Sequence, residues 1–385
     1  MENDNVLNIL SQDWNEIKEI VVYGFGRTAV RNVDKLAEDF EISLIIDNDS
    51  KIHGKQYRDC KVHNFEEARE ELPGRKIVIA TSSVAYADIT RQLQSIGLKE
   101  NRDFCRLKDF MAEWYWKNRH QVCLSQTFSS VTSRCTFRCR YCNFFAPYFK
   151  EGEHYDYDEN DIVRDFEAYF RVVDYVASWS IMGGEPLINK RLPQIIENVY
   201  EKFGDRIGYI QVISNGSLIP DRELLDVMKK CKVWMRLSDY THVLPYKKKL
   251  EEVKRCLEDN DIPYDMSIYE QWFDLGTCTC EIPEYSGNDI DAARHMRLCA
   301  TGCHQLNDER FFFCGQGFAR PKKGFCSLQE GDCIELSTCT GTVEEKETIL
   351  KFCKGFPPKG YISVCRTCYG MGNDNDRIVG VAEQM

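Results

Sequence analysis

The chain opens with short apolar runs that alternate with stretches of helical period. Glu19-Ile-Val-Val-Tyr-Gly-Phe-Gly is a continuous apolar run entering a glycine turn, the pattern of a strand buried on both faces. A helical stretch follows to about Asp39, then the run Ile42-Ser-Leu-Ile-Ile-Asp47, then Lys76-Ile-Val-Ile-Ala-Thr, then a helical stretch from Ala85 to Ile96. This alternation predicts a parallel sheet covered by helices over residues 1–118. The rhythm continues over 119–275, with strands predicted at 123–131, 177–182, 208–214, 232–238 and 263–269 and helices at 159–172, 189–203, 221–231 and 246–259. That predicts a partial (β/α) barrel of the TIM type, with function at the C-terminal ends of its strands, although no sixth strand stands out. Over 276–385 the rhythm is lost to cysteines, glycines and short aromatic strands. Apolar residues there are too scattered for an independent core, which predicts a small domain stabilised by bound metal.

Composition narrows the function classes. With 385 residues the chain is long enough for two or three domains. The net charge of −11 argues against a nucleic-acid surface. Apolar runs fall well short of the roughly 20 residues of a membrane span, and Met1-Glu-Asn-Asp-Asn-Val-Leu-Asn-Ile-Leu lacks the basic and apolar regions of a signal peptide. The expectation is a cytoplasmic protein. There are 19 cysteines, of which three lie within 135–142 and eleven between Cys278 and Cys368. Local clusters without an export signal point to metal or iron–sulfur ligation rather than a disulfide scaffold.

Cys135-Thr-Phe-Arg-Cys139-Arg-Tyr-Cys142 places three thiols on one tight loop just after a predicted strand. Three thiolates can hold three irons of a 4Fe-4S cluster and leave the fourth open to a substrate or cofactor. A zinc site or three buried thiols is the alternative at this point. Ser178-Trp-Ser-Ile-Met-Gly183-Gly184-Glu185-Pro186 and Val212-Ile-Ser214-Asn215-Gly216 follow at the ends of two later predicted strands. The cysteine loop resembles the defining loop of the radical SAM superfamily, and the two later segments resemble its further motifs. The resemblance covers roughly 120–275. It implies that Cys135, Cys139 and Cys142 hold the cluster and that the open iron chelates S-adenosylmethionine (SAM). It further implies reductive SAM cleavage to a 5′-deoxyadenosyl radical, hydrogen abstraction from a substrate, and a reductant such as flavodoxin or ferredoxin. Tyr141, Gly183, Gly184, Glu185, Ser214, Asn215 and Ser238 are then expected to contact SAM.

Cys303-His304…Phe313-Cys314 reads as a hairpin with a polar turn and a thiol at each end, and Cys365-Arg-Thr-Cys368 is a C-x₂-C knuckle. These resemble the SPASM and twitch extensions of radical SAM enzymes, which implies an auxiliary 4Fe-4S cluster on Cys303, Cys314, Cys365 and Cys368. Glu309 stands where that hairpin usually has glycine. Cys299, Cys326, Cys333 and Cys339 could belong to a second cluster or replace one ligand, Cys278 and Cys280 form C-x-C, and zinc is the alternative metal. Cys60, Cys105, Cys123, Cys231, Cys256 and Cys353 are expected to pack as small apolar residues.

Gly24-Phe25-Gly26-Arg27-Thr28-Ala29 fits G-x-G-x-x-A between a strand and a helix, with Asp47 ending the next strand. With His53-Gly54-Lys55, residues 18–110 resemble the Rossmann-like domains attached to sugar-modifying and polysaccharide-biosynthesis enzymes. Such a domain need not bind NAD, and NAD is not expected. The fold class expected is therefore α/β: a Rossmann-like parallel sheet, a partial TIM-type barrel and a cysteine-rich iron–sulfur domain. The substrate expected is a sugar or nucleotide-sugar, with a peptide as the alternative. A non-catalytic iron–sulfur electron carrier and a zinc-binding interaction protein are the rivals from other classes.

Overall fold

The computed structural model describes residues 6–81, 83–276, 289–299, 303–371 and 375–385. Cys278 and Cys280 lie outside the described residues. Contacts divide the chain into two compact units, 1–125 with 173–178, and 126–172 with 179–385. Both are mixed α/β with parallel strands. Among the described residues no helix is long and apolar enough to cross a membrane.

The first unit is built on β1 (Glu19–Tyr23), β2 (Glu41–Ile46), β3 (Gln56–Tyr57), β4 (Cys60–His63), β5 (Ile77–Ile79) and β6 (Phe104–Arg106), in the order β3-β4-β2-β1-β5-β6. All pair in parallel except the short β3, which pairs antiparallel to β4. Side chains alternate across a strand, so Ile20 and Val22 join one core with Leu36, Phe110 and Trp114, while Val21 and Tyr23 join another with Leu44, Ile46 and Leu93. Burial on both faces is why β1 is continuously apolar. The helices are α1 (Arg27–Asp39), α2 (Phe65–Ala68), α3 (Ser83–Ser95) and α4 (Leu107–Arg119).

The predicted strands 123–131 and 177–182 each divide in two. Their first parts, β7 (Cys123–Leu124) and β9 (Tyr175–Val176), pair with each other, and Cys123 and Ala177 are buried in the core of the first unit. Their second parts, β8 (Thr127–Ser130) and β10 (Trp179–Met182), pair in the second unit. This is why the contacts divide at Ser125 and include 173–178 in the first unit, rather than dividing at residue 118.

In the second unit, helix α5 (Glu159–Val172) precedes β10. There follow α6 (Leu192–Phe203), β11 (Ile210–Ser214), α7 (Arg222–Lys230), β12 (Trp234–Asp239), α8 (Lys247–Asp259) and β13 (Tyr264–Ile268). Five parallel strands run β13-β12-β11-β10-β8. Trp179 turns to the helical side, its ring 4.9 Å from that of Phe166. On the other face Ser180 accepts from Gln211 at 2.5 Å and Arg236 donates to Ser267 at 3.0 Å and Tyr269 at 2.7 Å. That face is polar where a TIM-barrel interior is usually apolar.

The remaining elements are β14 (Trp272–Phe273), α9 (Asp289–Leu298), β15 (Gln305–Asn307), β16 (Arg310–Phe312), α10 (Gly315–Lys323), β17 (Cys333–Glu335), α11 (Val343–Cys353) and β18 (Ile378–Val379). β15 adds in parallel beside β8, and β16 and β17 extend the same sheet antiparallel. A sixth parallel strand thus exists, supplied by the cysteine-rich segment. Residues 276–385 share a sheet and a contact unit with the preceding strands, rather than packing as a separate body.

Candidate functional site

The cysteine loop, Gly183-Gly184-Glu185 and Ser214-Asn215 follow or end β8, β10 and β11, three neighbouring parallel strands, so all three motifs lie at one edge of the sheet. Backbone pairing continues past the strand ends. Val131 N donates to Met182 O, Gly184 N to Thr132 O at 2.8 Å, and Glu185 N to Arg134 O at 2.7 Å. A Cβ on Gly183 would stand 2.3 Å from Thr132 O, and one on Gly184 would stand 2.1 Å from Arg134 O. Glycine at both positions lets this segment lie directly against the chain that enters the cysteine loop.

Glu185 is fully buried, and desolvation pushes its carboxyl up to about 7. Its oxygens accept from Asn215 N at 2.8 Å and Leu187 N at 3.3 Å, and Ser214 bonds to it as well. The Glu185 carboxylate therefore ties the end of β10 to the end of β11. The Asn215 amide lies 3.7 Å from Cys135 Sγ and donates to Thr136 at 3.0 Å. Ser238, near the end of β12, is buried; its side chain bonds to Tyr240, and its carbonyl accepts from Tyr246 at 3.3 Å. Tyr141 is half-buried within the loop.

The three thiols lie within electrostatic reach of one another. Burial pushes Cys135 up to about 12, Cys139 up to about 11, and Cys142 upward. Each sulfur nevertheless faces N–H donors: Phe137 N at 3.5 Å on Cys135, the Gln384 amide at 3.3 Å on Cys139, and the backbone at 144–146 on Cys142. Protonated thiols in a dry loop would gain little from converging donors, whereas thiolates held by iron would gain much. The donor set fits a 4Fe-4S cluster. Around it, Phe137, Tyr240, Leu244, Tyr269, Trp272, Val381 and Ala382 form an apolar wall. Neither Gln384 nor this wall carries a local motif that the sequence alone would reveal.

The second thiol group assembles beyond the hairpin β15–β16. Asp308 and Glu309 form its turn with φ of 58° and 53°, so Glu309 does hold a left-handed position that glycine would adopt without strain. Burial and mutual repulsion push Cys314 up to about 12 and raise Cys365 well above the usual thiol range, and the groups acting on both are Cys368 and Cys299. Cys299 thus lies within electrostatic reach of Cys314, Cys365 and Cys368, and Cys303 is half-buried at the base of the hairpin. Beside them is the Arg320 guanidinium, only 4% exposed, whose hydrogen-bond acceptors are all neutral: Gln316, Thr367 and the carbonyls of Leu275 and Gly276. The Asp274 carboxylate also acts on Cys368, so the buried guanidinium and a carboxylate both border this thiol group. Among the described residues no group of three or more His, Cys, Asp or Glu is arranged to hold a single metal ion. A cubane spreads its thiolates more widely than one ion does.

The other expected cysteine roles divide. Cys105, Cys123 and Cys231 are buried, and Cys60, Cys256 and Cys353 are half-buried. Cys339 donates to Glu335 O at 3.4 Å, Cys333 lies 3.8 Å from the Glu335 carboxylate, and Cys326 is exposed with Arg320 and Asp332 as its charged neighbours. In the first unit both Asp47 oxygens accept from backbone amides of the adjoining turns, Phe25 N at 2.6 Å and Asp49 N at 2.7 Å. Asp47 thus fastens the glycine turn.

Residues 129–238 match the model of the Radical SAM superfamily. The chain is 32% identical over 100 residues to GTP 3′,8-cyclase 1 of Mycobacterium tuberculosis, which is 24% of this chain and 26% of that protein. It is 40% identical over 72 residues to GTP 3′,8-cyclase of Hydrogenovibrio crunogenus, 18% of this chain and 21% of that protein. The chain thus matches about a quarter of the length of these relatives. A solved structure of BtrN in complex with AdoMet and 2-DOIA aligns with a TM-score of 0.41 at 15% identity, over 68% of this chain and 96% of that one. The sugar or nucleotide-sugar substrate expected from residues 18–110 gains no support from these names. What the motifs, their placement and the family match establish together is that this chain carries a radical SAM superfamily domain over residues 129–238.

Proposed function

We propose that the protein is a radical SAM enzyme whose catalytic cluster is held by Cys135, Cys139 and Cys142. The observation that supports this most directly is the arrangement of three enclosed thiols, each facing N–H donors, beside two motifs at the ends of adjacent parallel strands. When bound, the cluster and SAM supply one-electron cleavage of the sulfonium and a carbon radical that abstracts hydrogen. The chain's own part is to hold and shield. Gly183 and Gly184 bring their segment against the cysteine loop, and Glu185 fixes the ends of β10 and β11 relative to each other. The wall of Phe137, Tyr240, Tyr269 and Trp272 keeps water from one side. Tyr141, Gly183, Ser214, Asn215 and Ser238 are the remaining candidates to contact SAM.

A second, auxiliary 4Fe-4S cluster belongs to the same reading. Its support is the group of buried thiols Cys314, Cys365 and Cys368, which act on one another together with Cys299. Cys299 is a candidate ligand alongside Cys303, because Cys299 acts on Cys314, Cys365 and Cys368. The strand order of the first unit, with successive parallel strands laid outward on both sides of β1, supports a Rossmann-like reading of it.

The test is anaerobic reconstitution with iron and sulfide, followed by SAM and a strong reductant. Wild type should release 5′-deoxyadenosine, and Cys142→Ala should release less than a hundredth as much. Absence of 5′-deoxyadenosine from fully loaded wild type, or equal yields from both proteins, would sink the reading.

A further inference from the structure

The segment 375–385 takes no part in the motifs above, yet it is fastened along the site. It first runs antiparallel to β14, pairing Phe273 with Ile378 and Trp272 with Val379, and Asp274 N donates to Arg377 O at 2.8 Å. Val381 and Ala382 are then buried in the apolar wall around Cys139. Ala382 adopts a left-handed φ of 50°, which turns the chain onto the cysteine loop. There Arg140 N donates to Glu383 O at 2.7 Å, Met385 N donates to Arg138 O at 2.8 Å, and Arg140 pairs with the Glu383 carboxylate at 3.2 Å. A short antiparallel bridge thus joins the loop that carries Cys139 to a segment some 245 residues later.

The side chain of Gln384 closes this strap. Its Oε1 accepts from Arg138 N at 2.8 Å, and its Nε2 donates to Cys139 Sγ at 3.3 Å and to Ala382 O at 2.6 Å. The orientation of the amide is forced, because a backbone N–H can only donate and so must face the oxygen. The –NH₂ group is left facing the sulfur.

We propose that Gln384 is a positioning residue of the cluster site, aimed at Cys139 sulfur by the strap and raising the reduction potential of the cluster that Cys139 ligates. A hydrogen bond to a ligating sulfur offsets part of its negative charge and so favours the reduced, more negative cluster. The strap gives the donor a fixed direction, since Arg138, Ala382 and the apolar burial of 381–382 hold the Gln384 amide from three sides. This rests on the assignment of Cys135, Cys139 and Cys142 to a SAM-binding cluster.

The test uses the whole reconstituted chain and reads a potential rather than turnover. The reduced cluster is followed by electron paramagnetic resonance during redox titration, and only the signal that changes on SAM addition is scored. Gln384→Leu removes the donor. Gln384→Glu keeps an oxygen for Arg138 N and sets a carboxylate against the sulfur. The expected order of midpoints is wild type highest, Gln384→Leu lower and Gln384→Glu lowest. For Gln384→Leu the ratio of reduced to oxidised cluster at fixed potential should fall about tenfold, about 59 mV for a one-electron couple. Equal midpoints in proteins of equal iron content would overturn the role of Gln384. A wild type without a SAM-sensitive signal would instead overturn the cluster assignment, so the two failures are distinguishable.

Discussion

At the scale of single residues, the unusual acid outside the thiol groups is Asp165 on α5. It is 1% exposed, and burial pushes its carboxyl up to about 8, with Asp308, Glu309 and Asp161 adding repulsion. One oxygen accepts from Glu309 N at 2.5 Å, while the other has no hydrogen-bond partner among the described residues. Because the folded value lies above the ordinary carboxylate value of 3.8, the folded state binds the proton more tightly. The stability this contributes is complete below about pH 4 and is lost as the pH rises through about 8. Asp165→Asn should therefore flatten the decline of Tm between about pH 4 and 8, leaving a smaller drop than wild type. An identical pH profile in the two proteins would show that Asp165 is charged in the fold. Neither Asp165 nor Gln384 could be read from the sequence as special. Each is defined by a neighbour more than a hundred residues away, Glu309 in one case and Cys139 in the other.

At the scale of elements, much was legible. The strand ending before Gly24, the helices 159–172 and 246–259, the three motif loops and the hairpin at 303–314 all follow from local period and turn chemistry. What local pattern could not reveal is where a strand changes partner. Residues 123–131 read as one run, yet Cys123–Leu124 pairs with Tyr175–Val176, while Thr127–Ser130 pairs with Trp179–Met182. Ser125-Gln126 falls at the break, but no glycine, proline or charged residue marks it, so local pattern reads the run as one strand. The glycines after β10 give a test at this scale. In Gly184→Ala the new Cβ meets Arg134 O at 2.1 Å, and neither backbone can yield without moving the cysteine loop. Iron bound at the Cys135–Cys142 loop should fall several-fold, and Tm should drop by several degrees. Iron content equal to wild type would mean that the loop is not held by this contact.

At the scale of the whole molecule, the spacing of cysteines was legible as clusters but not as ligand sets. Cys299 and Cys303 both precede the same hairpin, and only the fold brings Cys299 to Cys314, Cys365 and Cys368. Cys299→Ala should therefore lower iron and sulfide per chain by about one cluster, as should Cys365→Ala with Cys368→Ala. Unchanged iron in Cys299→Ala, with a loss in Cys303→Ala, would restore the ligand set read from spacing. The element that relates the two thiol groups is β8. On one side it feeds the loop of Cys135, and on the other it holds β15, through Gln305 opposite Phe128. The Asn307 amide bonds both Ser130 N and Ser130 O at 3.0 Å, taking the place of a backbone ladder. Four residues thus act as a ruler between two candidate redox centres. Electron transfer between such centres falls off steeply with distance. A single slip of β15 along Thr127–Ser130 would change that distance by about 3.3 Å, without altering one ligand at either end.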